Sequence, residues 1–552
     1  MSRLLSWLTD PYPERGVHLA DESDGWEFVP YRDLAASARR TATAMTAAGV
    51  RPGSVVCLIV PSGRDFLSVL FGAWAAGATV SPLVPPSFQA DDEYVAYVAA
   101  ILRQAEPSLV VTSEEFAPLV ARAMDRAGRT DGPWLPREGT VEADLVPATG
   151  TALLQFTSGA TGEPRGVRVS WTNIAANHAV QRRMVGWRDG DGTASWLPLH
   201  HDMGLIGCCL FPIAAQSPLW LMRPEQFIRD PARWLACFAP GRAAHSAAPS
   251  FAFAYAARRI QPQRLAELDL SGWRSVFVGA EVIDPAALDA FARRMEPAGF
   301  SRDAFLPSYG LAENTLAVTG ADTPAVLVRP DWASLRMGAT VALEEEAKFG
   351  ERPVEPGSGW LIGHGAPHAA DDIHVRVLDD EGHPLPDGRL GEIAVTGSSV
   401  ADGYHGGREG SSTRFVDGEL RTGDAGFRHN GELFVLGRMG DSLKLRGRSV
   451  YVDDLDAKVA AAAGVDKDRV GVVAVNDQGR PGLAVFVEAP PGPWAQAVTE
   501  LLRNELGPEP SLTLVTGRRG LLKRTTSGKL RRGQMWRLLR EGRVTGVPVA
   551  AA

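Results

Sequence analysis

The sequence predicts an α/β protein. It should have a large N-terminal domain of mixed, mostly parallel sheets with helices, a β-rich subdomain, and a small α+β C-terminal domain. Three observations predict this. The chain has 552 residues, too many for one hydrophobic core. Between residues 31 and 150 helical and strand patterns alternate, the rhythm of parallel strands joined by helices. Beyond residue 370 that rhythm gives way to alternating, hairpin-like strands, and beyond Gly440 to a short mixture of both.

The elements follow in order. Tyr31 to Ala48 is an amphipathic helix closed by Gly49, and Ser54 to Val60 is a buried strand. Arg64 to Ala76 is a helix, Gly77 to Pro82 a strand, Asp91 to Ala105 a helix and Ser108 to Thr112 a strand. The polar stretch Arg129 to Pro147 is a surface connection. Thr151 to Phe156 and Gly166 to Ser170 are strands, and Trp171 to Met184 a helix. Ala194 to Pro198, Ala243 to Pro249, Ser275 to Val278 and Ala304 to Pro307 are further strands, with a helix over Phe251 to Arg258. Arg336 to Gly365 breaks the rhythm with the acidic run Glu344-Glu345-Glu346, two prolines and several glycines. It reads either as a solvated loop or as a functional one. Asp372 to Leu378 and Gly391 to Thr396 are antiparallel strands, and a hairpin turns at Asn430-Gly431. The large domain is expected over 1–438, with its irregular segment at about 336–365, and the small domain over 441–552.

Composition narrows the function. Hydrophobic residues make up 45% and charged residues 22%, as in a globular protein, and the net charge of −8 argues against a general nucleic-acid binder. The four cysteines lack zinc-ligand or secreted-framework spacing and read as reduced thiols in a cytoplasmic protein. The N-terminus lacks a signal-peptide pattern. The most apolar window, Leu205 to Met222, is interrupted by Pro212 and Pro218 and reads as a buried helix followed by a strand.

Chemistry concentrates at strand ends. Thr157-Ser158-Gly159-Ala160-Thr161-Gly162 joins two strands, with Arg165 just beyond. Glycines let the backbone turn and expose its N–H groups, hydroxyls add donors, and arginine adds charge. The loop is therefore either a phosphate cradle or an ordinary hairpin turn, and it lacks the Walker spacing. His200-His201-Asp202 invites a metal, but adjacent side chains on a strand point to opposite faces, so one histidine lining a cleft is the better reading. Two other strands end in Gly279-Ala280-Glu281 and Ser308-Tyr309-Gly310-Leu311-Ala312-Glu313. Ligands of open α/β sheets collect outside the carboxyl ends of strands, so these motifs point to one shared site. The C-terminal stretch from Arg518 to Arg543 is strongly basic and suggests an anionic partner.

Five motifs occur in one order: Thr157 to Gly162, Tyr309 to Glu313, Arg421-Thr422-Gly423-Asp424, Gly437-Arg438 and Ser527-Gly528-Lys529. In this the chain resembles the adenylate-forming superfamily of acyl-CoA ligases, luciferase-like enzymes and nonribosomal adenylation domains, and within it the fatty acyl-AMP ligases. Trp196 to Leu205, Gly310 to Asn314 and the extra segment 336–365 carry the narrower resemblance, although His200 stands where that branch usually has tyrosine.

The resemblance implies ATP-dependent activation of a fatty acid to acyl-AMP, with Mg²⁺, and acyl transfer to an acyl carrier protein. A CoA ligase of the same fold and a non-catalytic nucleotide-binding relative are the alternatives. It implies that Thr157, Ser158, Gly159, Thr161, Gly162 and Arg165 hold the β- and γ-phosphates, with arginine replacing the usual lysine at 165. Glu313 would bind Mg²⁺. Tyr309 would stack on adenine, with Gly279, Ala280, Glu281, Ser308, Gly310 and Leu311 around it, and Asp424 and Arg438 would meet the ribose. Lys529 would bridge the carboxylate and the α-phosphate, with His201 beside the reacting carboxyl. The small domain would close and then swing about a hinge at Gly440. Met203, Cys208, Phe251 and Phe253 would line the acyl pocket.

Overall fold

The computed structural model describes residues 3–86, 91–157, 164–331, 334–407, 413–439, 442–445, 448–477, 480–508, 510–524 and 530–549. Two sheets form the frame of the large domain. The first has five strands in the order Leu109–Thr112, Val55–Ile59, Thr79–Pro82, Thr151–Thr157, Arg165–Ser170. All its neighbours are parallel except the last pair, a hairpin. Val55–Ile59 and Thr79–Pro82 are buried nearly throughout, which explains their unbroken apolar sequence. The helices Arg64–Ala75 and Asp91–Ala105 lie between these strands in sequence and Tyr31–Ala47 precedes them, all within a residue or two of expectation. The helix Ala117–Arg126 has no counterpart in the sequence reading.

The second sheet has eight strands. Its order is Ala317–Gly320, Phe305–Gly310, Ser275–Val278, Ala243–Ala248, Gly192–Ser195, Leu219–Leu221, Gly16–Ala20, Trp26–Pro30. It is parallel except at its two outer pairs. Behind it Phe253 packs edge to face with Phe291 and Phe305 and tilted against Trp234, all fully buried.

His200 and His201 lie in a turn after Gly192–Ser195, not on a strand, so the alternating-face argument does not apply to them. Asp202 caps a π-helix, Met203–Leu210, by accepting from the Met203 N–H at 2.8 Å. No group of three or more metal-ligating side chains occurs among the described residues.

The segment 336–365 carries strands. Leu343–Lys348 pairs antiparallel with Val326–Pro330, whose other edge pairs with Leu361–Ile362. Acidic runs are poor strand formers, but here each glutamate has a basic neighbour. Arg329 Nε meets Glu344 at 3.0 Å, Arg352 meets Glu345 at 2.6 Å, and His429 meets Glu346 at 2.9 Å. A five-stranded antiparallel sheet follows, built on Ile373–Leu378, Gly391–Gly397, Arg414–Val416, Glu419–His429 and Glu432–Arg438.

Toward the C-terminus four strands, Val470–Asp477, Arg480–Val487, Ser511–Thr516 and Val547–Val549, form a separate sheet. The helices Val452–Ala463, Trp494–Leu506 and Arg532–Arg540 belong to the same unit, and Val452–Ala463 and Trp494–Leu506 share its core. Gly440 lies outside the described residues. All four cysteines are free and buried, and burial pushes the thiols of Cys57, Cys208 and Cys237 up to about 12, so they are inert. No helix among the described residues is long and apolar enough to cross a membrane.

Candidate functional site

The carboxyl ends of both sheets open onto one cleft of about 940 Å³. It is lined by Thr157 and Arg165 from the hairpin, by His201, by Gly279, Ala280 and Glu281, and by Ser308 through Leu311 with Glu313. Asp424 and Arg438 line it from the antiparallel sheet, and Asp456, Arg532 and Trp536 from the C-terminal unit. Residues far apart in sequence thus face one space because parallel strands all end on the same side.

Close packing shapes one wall. A Cβ on Gly279 would come within 2.8 Å of the Ser308 carbonyl oxygen, so only glycine lets these strand ends approach. Ala280 beside it has φ +66°, a strained conformation for a residue with a side chain. The Glu281 carboxylate accepts from the Phe251 N–H at 3.2 Å.

Tyr309, Asp424 and Arg438 form a connected polar wall. The Tyr309 hydroxyl donates to Asp424 Oδ2 at 2.6 Å, and Arg438 Nε meets Asp424 Oδ1 at 2.9 Å. Arg438 Nη1 also donates to Thr413 Oγ1 at 2.7 Å and to the Thr422 carbonyl at 2.6 Å. Burial, helped by Asp424, keeps the Tyr309 phenol protonated, and the same carboxylate raises the Arg438 pKa. The Asp424–Arg438 pair belongs to neighbouring strands with Asp424 opposite Arg438 in register.

A neighbouring part of the cleft is built for anions. Thr157 and Arg165 pair at the base of the hairpin. Thr157 Oγ1 and Arg165 Nε and Nη1 are buried without a hydrogen-bond partner among the described residues. Buried donors left this way are costly unless a ligand satisfies them. Glu313 is also buried, and its carboxylate accepts from the Tyr404 hydroxyl at 2.7 Å. A carboxylate beside donors suited to phosphate oxygens fits a hard divalent cation bound together with phosphates.

His200 and His201 line the same cleft. His201 Nδ1 meets Asp202 Oδ1 at 2.7 Å. His200 is partly buried with its ring Nε2 enclosed, its carbonyl accepts from Gln155 Nε2 at 2.7 Å, and desolvation with the nearby His201 pushes its ring down to about 3. His200 is therefore neutral, with Nε2 unpartnered among the described residues.

The acyl-pocket expectation divides. Met203 and Phe251 line the cleft, together with Phe277 and Tyr255. Cys208 and Phe253 do not line it. Both are buried in the core behind the second sheet, and the Phe253 ring packs against Trp234 and Phe305. Apolar residues on neighbouring elements look alike in sequence whether they face a cavity or a core. Ser158, Gly159, Thr161, Gly162 and Lys529 lie outside the described residues. Sequence reasoning missed Gln155, His364 and Tyr404. His364 lines the cleft and burial pushes its ring down to about 4. Gln155 lies two residues before Thr157 on the same strand, whereas His364 and Tyr404 reach the site only through tertiary contact, which no spacing marks.

Comparison with known proteins agrees with this arrangement. Residues 10–405 match the family described as AMP-binding enzyme. The long-chain-fatty-acid–AMP ligase FadD26 of Mycobacterium marinum is 35% identical over 498 residues, covering 84% of this chain and 81% of the relative. The 4-hydroxyphenylalkanoate adenylyltransferase of the same organism is 32% identical over 521 residues, covering 87% and 81%. A solved structure from studies of fatty acyl-adenylate ligases of E. coli and L. pneumophila superposes with a TM-score of 0.83 at 26% identity, covering 98% of this chain and 97% of that one. With its fold, its cleft and its sequence relatives in agreement, the chain belongs to the AMP-binding enzyme family.

Proposed function

We propose that this protein activates a fatty or related aliphatic carboxylic acid with ATP and delivers the acyl group to the phosphopantetheine thiol of an acyl carrier protein. A carboxylate oxygen attacks the α-phosphorus, the bond to the bridging oxygen breaks, and acyl-AMP and pyrophosphate form. The thiolate sulfur then attacks the acyl carbon, giving a thioester and AMP. The one observation that carries the reading is that three kinds of group line a single cleft. Unpartnered Thr157 and Arg165 donors lie near Glu313, the Tyr309–Asp424–Arg438 wall adjoins them, and the apolar Met203 and Phe251 complete the lining. The names of the FadD26 and fatty acyl-adenylate ligase relatives support the acid class.

In this reading Thr157 and Arg165 bind the β- and γ-phosphates, and Arg165 grips two oxygens at once as a fork. Tyr309 stacks on adenine, and Asp424, held by Arg438, accepts from the ribose hydroxyls. Glu313 holds Mg²⁺, which when bound neutralises phosphate charge. His201, oriented by Asp202, borders the reacting carboxyl. Lys529 supplies the positive charge between carboxylate and α-phosphate. Positioning and charge do most of the work because the protein forms no covalent bond.

Acid-dependent ATP–pyrophosphate exchange over a chain-length panel tests the first step, and no exchange with any acid would end the reading. Product analysis with CoA and with a carrier protein tests the second, and rapid acyl-CoA release would favour the CoA-ligase alternative. The exposed Arg537 and Arg540 on the C-terminal helix suit an acidic carrier, so carrier transfer is expected to fall as salt rises.

A further inference from the structure

The segment 398–404 belongs to neither the nucleotide motifs nor the acyl lining, yet it ties together the hairpin and the Glu313 turn that form the anion-binding part of the cleft. The Ala401 N–H donates to the Glu313 carbonyl at 2.9 Å. The Asp402 N–H donates to the Arg168 carbonyl, and the Arg168 N–H to the Gly403 carbonyl, both at 2.9 Å. Val167 and Tyr404 form an antiparallel bridge. The backbone of this segment is thus stitched to the hairpin strand on one side and to the Glu313 turn on the other.

Tyr404 turns that backbone link into a side-chain link. Its hydroxyl donates to Glu313 Oε1 at 2.7 Å, and the Arg165 guanidinium lies over its ring, 4.9 Å from the centroid. All three residues are buried. A tyrosine can serve both neighbours because its ring face is electron-rich while its hydroxyl is a donor. Phenylalanine would keep the first contact and lose the second. With one carboxylate oxygen held by Tyr404, Glu313 cannot rotate freely. With one face held by the ring, Arg165 presents its unpartnered Nε and Nη1 in a fixed plane.

We propose that Tyr404 is a positioning residue that sets the Glu313 carboxylate and the Arg165 guanidinium relative to each other, so that divalent cation and triphosphate are received together. The inference rests on the function proposed above.

The test uses the full-length protein. Tyr404→Phe should raise the Mg²⁺ concentration for half-maximal pyrophosphate exchange at least fivefold, with most of the maximal rate regained at saturating Mg²⁺. Tyr404→Leu, which also removes the ring, should in addition raise the KM for ATP. In calorimetry, the gain in ATP affinity produced by Mg²⁺ should shrink in Tyr404→Phe. Binding of a non-hydrolysable acyl-adenylate analogue, which lacks the β- and γ-phosphates, should stay within twofold of wild type. An unchanged Mg²⁺ requirement in Tyr404→Phe would overturn the proposal, as would equal losses of analogue and MgATP binding, which would mean a merely structural role. Hydrogen exchange on the wild-type protein gives a measurement independent of any variant. MgATP, but not AMP, should slow exchange at Ala401 and Asp402, and equal protection by both would also overturn it. Absence of exchange activity in the wild type would instead count against the function itself.

Discussion

At the scale of single residues, the site depends on buried polar groups that hold each other. Asp424 receives both the Tyr309 hydroxyl and Arg438. Asp424→Asn keeps the shape and removes the charge. The KM for ATP is expected to rise at least tenfold, a loss of about 1.4 kcal/mol, with little change in the KM for the acid; a KM for ATP within twofold of wild type would refute the assignment. Buried histidines set the response to acid. His200 is pushed down to about 3 by burial, and His178 and His364 to about 4. In the unfolded chain each would titrate near the ordinary value of 6.5. Between the two values the unfolded state binds more protons, so stability is present above pH 6.5 and is lost as pH falls. The loss is about 1.4 kcal/mol per pH unit for each such histidine. The urea midpoint should therefore drop between pH 7 and 5.5, and His178→Gln should flatten that drop. A pH-independent midpoint would show that these rings take up protons in the folded protein as they do in the unfolded chain.

At the scale of elements, the segment 336–365 is the instructive case. Its Pro353 and Pro356, glycines and acidic run are loop signals taken one at a time. The strand Leu343–Lys348 forms because Arg329 across the pair and Arg352 beyond it neutralise the glutamates, and Trp360 packs beneath the Arg352 guanidinium, 4.3 Å from ring centroid. That information lies in partners distant in sequence. The parallel strands were legible for the opposite reason. Burial on both faces writes an apolar run such as Val55–Ile59 with no help from any partner. The site was legible where glycine, tyrosine and charge cluster locally, as at Tyr309 to Glu313, and illegible at Tyr404 and His364. The segment also reaches the C-terminal unit, since a Cβ on Gly357 would lie 3.9 Å from Lys458 and Ala461 in the helix Val452–Ala463. Shortening the turn Glu355 to Ser358 removes this contact. The ratio of acyl-CoA formed to carrier protein loaded is expected to rise, and an unchanged ratio would remove the segment from the choice of thiol.

At the scale of the whole molecule, the cleft is completed by two units that meet across it. Arg258, on the helix Ser250–Arg259, forms an ion pair with Asp466 of the C-terminal unit. Both side chains are about half exposed, so the pair is worth at most about 1 kcal/mol. Arg258→Glu should slow adenylation by no more than about fivefold, and adding Asp466→Arg should restore it. Failure of the double variant to recover would show that Arg258 acts on something other than Asp466. The sheet order has a separate consequence for how the chain is assembled. The five-stranded sheet is complete once Ser170 has been made. The hairpin Gly16–Ala20 and Trp26–Pro30, made earlier, is the outer edge of the other sheet, and its neighbour Leu219–Leu221 comes later. During synthesis the first-made strands must therefore wait, edge exposed, while a whole sheet folds between them and their partner. The N-terminal hairpin is the part of this protein for which translation speed and chaperone cover matter most.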